Sequence, residues 1–311
     1  MKEKVFWMGL IIVLISMIGN LWYLNSKQLK EPVFLNHFLA NDVFDKNSTV
    51  PLTFYYITNK HKPIYVSDVY IDGVEVYTVD NNQDYWSNNQ HMIHSHQEFA
   101  HYSLVSVHIE ILAQTIPFDN QESWSFSTME VSFSNGSTKK VSIGQVLLTQ
   151  YIEHGSDYLI NNSVTSGNDG FGSTTFTTTK PLEIISIDSP FVESLDDELA
   201  VKVSASDNSV REGKRIDPDW LKNENFNEWQ SKKGTLLSDS LEPFKIDRGE
   251  EIYIFTQIRP FQTSVFGFPL EIRGRTDSGD MFVTKALVNN DIHLNQKSIE
   301  KIISSKVAGD N

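Results

Sequence analysis

Ile64-Tyr-Val-Ser-Asp-Val-Tyr-Ile-Asp-Gly-Val-Glu-Val-Tyr-Thr-Val79 alternates apolar and polar residues on both sides of Asp72-Gly73. A two-residue Asp-Gly loop between alternating runs is a strong hairpin signal. Pairing across it sets Ile71 against Val74 and Val69 against Val76 on one face. Asp68, Tyr70, Glu75 and Tyr77 fall on the other. One dry face and one wet face is the pattern of an antiparallel sheet.

The same period extends along the chain. Thr49–Ile57 reads as a strand with Pro51 near its start, where a missing N–H is tolerated. Leu104–Leu112 turns Val105, Val107, Ile109 and Ile111 inward, and a second hairpin joins Met129–Phe133 to Val141–Leu147 around Asn135-Gly136. Later come strands at Pro181–Ile187 and Glu198–Ser204, and Glu251–Ile258 is apolar on both faces, as a central strand is. Leu270–Arg275 and Met281–Val288 form another hairpin. Ile299, Ile302 and Ile303 have helical spacing within Gln296–Ser305.

Two stretches are alike: Ile111-Leu-Ala-Gln-Thr-Ile-Pro-Phe118 and Ile254-Phe-Thr-Gln-Ile-Arg-Pro-Phe261. Each is followed by an acidic-apolar strand, at Met129-Glu-Val131 and Leu270-Glu-Ile272, which suggests an internal duplication.

Val5–Leu24 is an apolar run of twenty residues with no charge, the length a helix needs to cross a bilayer core. No pair of small residues marks a cleavage site after it, and no cysteine is present to carry a lipid. Trp22 and Tyr23 suit a membrane interface. The expectation is an uncleaved signal anchor. Lys2 and Lys4 nearly balance Lys27 and Lys30, so orientation is argued from the large polar region that follows: N-terminus cytoplasmic, bulk extracytoplasmic.

The fold expected is an all-β ectodomain: an N-terminal transmembrane helix, two tandem antiparallel β-sandwich-like domains and a short C-terminal helix. The divisions are a tip at 1–4, the anchor at 5–24, a stalk at 25–32 and a first domain at 33–151. A Ser/Thr/Gly/Asn-rich linker at 152–180 follows, its Thr-rich end able to pair as a strand, then a second domain at 181–311.

A net charge of −14 over 311 residues disfavours nucleic acid and simple electrostatic attachment to anionic lipid. The absence of cysteine excludes disulfides, thiolate metal sites and cysteine nucleophiles. Abundant lysine, asparagine, serine and isoleucine suggest a bacterial source.

Two constellations carry possible chemistry. His91, His94, His96 and His101 lie within eleven residues, and an extended 94–96 segment would project His94 and His96 to one face, with Glu98 beyond. That is a candidate zinc or copper site, weighed against a solvated polar loop. Trp220, Phe226 and Trp229 follow Asp217-Pro218, a helix start, and form either an aromatic platform for a partner or the packing face of a short helix. Asp217, Asp219, Glu224 and Glu228 lack the order of a calcium loop. No G-x-S-x-G, H-E-x-x-H, phosphate-loop or dinucleotide motif occurs. The expected function is therefore a non-enzymatic binding or structural module at the cell envelope, with an envelope protein or wall component as partner. The alternative is a metal-dependent envelope hydrolase using the His91–His101 loop.

Overall fold

The computed structural model describes residues 2–79, 95–118, 122–151, 158–167, 170–206, 218–222, 226–237, 241–290 and 292–309. The chain opens with α1 (Lys2–Ser26), β1 (Val33–Phe34), β2 (Asn36–Val43), β3 (Thr49–Asn59), β4 (Val66–Tyr70) and β5 (Val76–Val79). It continues with β6 (Gln97–Glu98), β7 (Tyr102–Leu112), β8 (Ser123–Phe133), β9 (Thr138–Gln150), β10 (Leu159–Ser166) and β11 (Phe171–Thr178). Then follow β12 (Leu182–Asp188), β13 (Leu199–Ala205), α2 (Asp219–Lys222), α3 (Asn227–Ser231) and β14 (Thr235–Leu236). The last elements are β15 (Phe244–Ile246), β16 (Glu251–Ile258), β17 (Ser264–Thr276), β18 (Met281–Asn289) and α4 (Gln296–Gly309).

These strands make three sheets. One long sheet runs β15-β12-β17-β2-β9-β8-β4, with β18 also on β17. A second, β1-β3-β7-β5 with β6 on β7, faces its β9-β8-β4 end. A third, β10-β11-β16-β13-β14, faces its β15-β12-β17 end. Each half has its own core. Phe54, Tyr56, Ile109, Ile111, Val131 and Ile143 fill the first. Ile184, Val203, Ile252, Phe268, Ile272 and Phe282 fill the second. Two β-sandwich halves thus share one backing sheet.

The Asp72-Gly73 turn forms, with Gly73 at φ +81 and Ile71 bridged to Val74. Its arms do not continue as a hairpin. β4 pairs with β8 in the long sheet, while β5 pairs with β7 in the facing sheet. The turn is a corner at which the chain changes layers, as strands of packed sheets do at a sandwich edge. Ile71 and Val74 are buried at that corner, holding the layers together where alternation alone predicts one continuous ladder.

Residues 159–178 read as linker by composition, yet β10 and β11 form a hairpin that β11 joins to β16. Phe171, Thr174, Phe176 and Thr178 are buried in turn, so a Thr-rich strand with two aromatic anchors suffices between the outer strand β10 and β16. The long sheet also departs from an all-antiparallel plan. β2 is parallel to both β17 and β9.

The two similar stretches fall in different elements: Ile111 and Leu112 end β7 and Ala113–Thr115 form a 3-10 turn, whereas Ile254–Ile258 belong to β16 itself. β7 and β16 are internal strands of the two facing sheets, and each leads into a long hairpin of the shared sheet, β8–β9 or β17–β18.

A third core joins the ends of the chain to both halves. Leu35, Ile57, Tyr102 and Leu104 meet Val265 of β17 and Ile292, Leu294, Ile299 and Ile302 of α4 and its approach. By contrast, Val5–Leu24 of α1 is exposed throughout, and the helix is long and apolar enough to cross a membrane.

Candidate functional site

The second sandwich is open along one side. β10 is the outer strand of its sheet, and β18 is bonded only to β17. Between these strands lies a groove of about 600 Å³, lined by Val164–Gly167 and Gly170–Thr174 on one side and Ala286–Asn290 on the other. The end of β16 and the turn Arg259–Gln262 complete it. Outer strands present unpaired backbone N–H and C=O groups, which are the raw material of strand addition by an extended partner.

Local sequence explains why the groove holds its shape. Gly170 sits at φ +80, and a Cβ there would lie 2.5 Å from the Ile258 carbonyl oxygen. That close approach lets Ile258 N–H donate to Gly170 O at 2.9 Å. Glu198 then clamps the next turn, accepting from Thr263 N–H at 3.0 Å, Thr263 Oγ1 at 2.6 Å and Ser264 N–H at 3.1 Å. Ser298 Oγ donates to Phe261 O at 3.0 Å. Asn290 bridges Ser264 O and Phe266 N–H at 2.9 and 2.7 Å.

Within that clamped turn Phe261 adopts φ +57 and is 57% exposed. A bulky residue in the left-handed region carries about 1–2 kcal/mol of strain, and such strain gathers at functional positions. Val164 and Leu287, 66% and 64% exposed, also line the groove. Its described lining contains no carboxylate, although the chain is strongly acidic. Arg259 and His293 stand at the rim, with Arg259 donating to Asp197 O at 3.4 Å. The groove can therefore hold a neutral or acidic extended ligand, with three apolar side chains to grip it. Neither Phe261 nor Leu287 was singled out in the sequence. The Pro260-Phe261 pair lay inside the similar stretches, but periodicity says nothing of a positive φ.

Of the four clustered histidines, His96 and His101 are described. His91 and His94 lie outside the described residues. The His96 ring packs edge-on against Tyr55 at 5.4 Å, and the His101 ring against Tyr23 at 5.8 Å. Glu98 pairs with Lys60 at 2.9 Å, and that hydrogen bond holds its carboxyl below the usual range. Among the described residues no group of three or more His, Asp or Glu is placed to hold a metal ion. His108 is held between Thr53 Oγ1 at 2.8 Å and Ser106 Oγ at 3.2 Å, and burial lowers its pKa.

His37 was not marked by sequence, yet it is fully buried at the junction of the halves. Its Nδ1 lies 3.2 Å from Ile143 O, and its Nε2 accepts the Tyr55 N–H at 2.9 Å. That geometry sets the neutral tautomer protonated on Nδ1. Burial brings its pKa down to about 3.

Trp220, Phe226 and Trp229 are brought together, but as packing. All three are buried with Leu221, Leu236 and Phe255 against the outer face of the third sheet. They present no platform to a partner. α2 and α3 are short, and these rings are what fix them to the sheet. Trp220 Nε1 donates to Asp196 O at 3.0 Å, and Lys202 Nζ stands 4.2 Å over the Trp229 ring. Asp217 and Glu224 lie outside the described residues.

No family model matches the sequence, and no curated protein matches it. Similar solved structures include the C-terminal domain of the Streptococcus agalactiae AgI/II polypeptide BspA, at 8% identity, covering 83% of this chain and 99% of that one, TM-score 0.19. The collagen-binding domain of the Erysipelothrix rhusiopathiae surface protein RspB is 9% identical over 80% of this chain and 90% of that one, TM-score 0.21. The C-terminal domain of the Streptococcus pyogenes antigen I/II-family protein AspA is 10% identical over 83% and 98%, TM-score 0.17. These are β domains of bacterial surface proteins, and at such TM-scores the likeness carries no argument about this chain's topology or ligand.

Proposed function

We propose that this chain is a single-pass, membrane-anchored binding module of the cell envelope, its β body extracytoplasmic and its N-terminus cytoplasmic. The observation that carries the reading is α1. Its span Glu3–Ser26 is 24 residues long with none of its window buried, and Trp22 and Val5 are 74% and 65% exposed. Roughly 25 cal/mol of unfavourable free energy attends each Å² of apolar surface left in water, so a helix apolar all round belongs in lipid. In this proposal 33–151 and 181–311 are the two domains, and 152–180, expected as a linker, contributes the β10–β11 hairpin to the second; the separate cores of the two halves support the division. The groove between β10 and β18 receives an envelope protein or wall component.

A photo-crosslinking residue at Leu287, in the full chain within its native envelope, tests the groove against the same probe at Met281. Both positions are exposed on β18, but only Leu287 lines the groove. A discrete adduct from position 287 and none from 281 supports the reading. Equal adducts from both, or none from either, oppose it.

A further inference from the structure

The body meets the end of α1 through a lysine-rich corner. Leu29 N–H donates to Asn59 Oδ1 at 2.8 Å, and Asn59 Nδ2 donates to Leu29 O at 2.7 Å. Leu29 is three positions past Ser26, the last residue of α1, so it lies within about 10 Å of the helix end, with Asn59 hydrogen-bonded to it. The loop leaving Asn59 is Lys60-His61-Lys62, exposed at all three positions. Lys60 N–H donates to His101 O at 2.9 Å, and the His101 ring packs on Tyr23 of α1. Lys27, 5.9 Å over the Tyr23 ring, and exposed Lys30 complete the corner.

Four lysines thus stand beside the helix exit of a protein whose net charge is −14. Glu98 offsets Lys60, and Glu31 is engaged by Lys139 from β9. Positive charge remains in excess. Net charge argued against attachment to anionic lipid, but screening confines electrostatics to about 8–10 Å, so the local sign decides. With Trp22 and Tyr23 at an interface, the loop Lys60–Lys62 falls within that distance of the headgroups.

We propose that this corner binds anionic phospholipid headgroups of the bilayer crossed by α1, holding the β body down on the membrane. The inference rests on the anchor reading above. It also accounts for Lys27 and Lys30 following the span, where they blur its charge asymmetry. They serve as headgroup contacts.

The absence of cysteine allows a single reporter. Ala100→Cys, exposed beside His101, carries a fluorophore in the full chain reconstituted into nanodiscs that contain a headgroup-attached quencher. Discs of phosphatidylcholine alone are compared with discs containing phosphatidylglycerol. Each lysine near an anionic surface shifts such an equilibrium roughly fivefold at low salt. Quenching should therefore be several-fold greater in the anionic discs. It should fall to the phosphatidylcholine level in Lys30→Gln/Lys62→Gln or at high salt. Lys46→Gln, about 33 Å away at the far end of β3, should change nothing. Equal quenching in both discs by inserted chain overturns this inference and leaves the anchor standing. A chain that does not enter discs at all overturns the anchor reading and this inference with it.

Discussion

The imidazole of His37 accepts the backbone N–H of Tyr55 at 2.9 Å and so ties the shared sheet to the sheet that faces its β9-β8-β4 end. With Nδ1 engaged by Ile143 O and the ring fully buried, the charged form has no room for water, and its pKa falls from 6.5 to about 3. The native chain keeps His37 neutral down to that pH, whereas the unfolded chain binds a proton below 6.5. Stability from this residue is therefore complete above pH 6.5 and is lost as pH falls towards 3. Denaturant unfolding in micelles should show this group costing about 2 kcal/mol between pH 7.5 and pH 5. His37→Gln should shrink that pH dependence, while an unchanged slope would remove His37 from the explanation.

Gly144 stands opposite His37 on β9 at φ +93, and a Cβ there would lie 2.3 Å from His37 O. Gly136, at φ +81 in the β8–β9 turn, has nothing within 4 Å of that position. Gly136→Ala should cost about 1–2 kcal/mol for its backbone alone. Gly144→Ala should cost clearly more, because backbone must also move. Thermal unfolding of the two variants decides, and equal losses would contradict the close packing of β2 on β9.

Trp229 is fully buried, and among the described residues its Nε1 has no hydrogen-bond partner. Trp229→Ala should cost about 3–5 kcal/mol by opening a cavity. Trp229→Phe loses volume but also an unsatisfied donor, so its cost should be well under half of that. If Trp229→Ala were as stable as the parent, the ring would be a surface platform after all.

Phe261 links strain to binding. Glycine tolerates φ +57 without the penalty an aromatic carries, so Phe261→Gly should leave stability unchanged or raise it by up to about 1 kcal/mol. The same change should weaken the adduct formed through Leu287. A loss of stability without a loss of adduct would make Phe261 structural.

Much of the architecture was legible because alternation and turn chemistry report strands directly. Val105, Val107, Ile109 and Ile111 are buried as their spacing implied, β8–β9 pair across Asn135-Gly136, and β17–β18 pair as the hairpin expected there. Layer assignment was not legible. Asp72-Gly73 fixes a local turn, whereas the partners of β4 and β5 lie some sixty and thirty residues on, where no local signal reaches. The parallel seating of β2 between β17 and β9 is hidden for the same reason. At the groove, Val164 and Leu287 are ordinary strand residues, and only the free edges beside them make them a candidate surface. Phe226 and Trp229 carried an ambiguity that burial alone resolves, since amphipathic rings serve cores and interfaces alike.

The account depends most on α1 crossing a membrane with the β body on the far side. Single cysteines can be placed at Glu3, before the apolar run, and at Asp277, exposed in the β17–β18 turn, because the chain supplies none of its own. A membrane-impermeant maleimide applied to intact cells should label Asp277→Cys and leave Glu3→Cys unlabelled until the membrane is opened, with the protein resisting alkaline extraction. Labelling of Glu3→Cys alone, or release of the chain by alkali, would contradict the account.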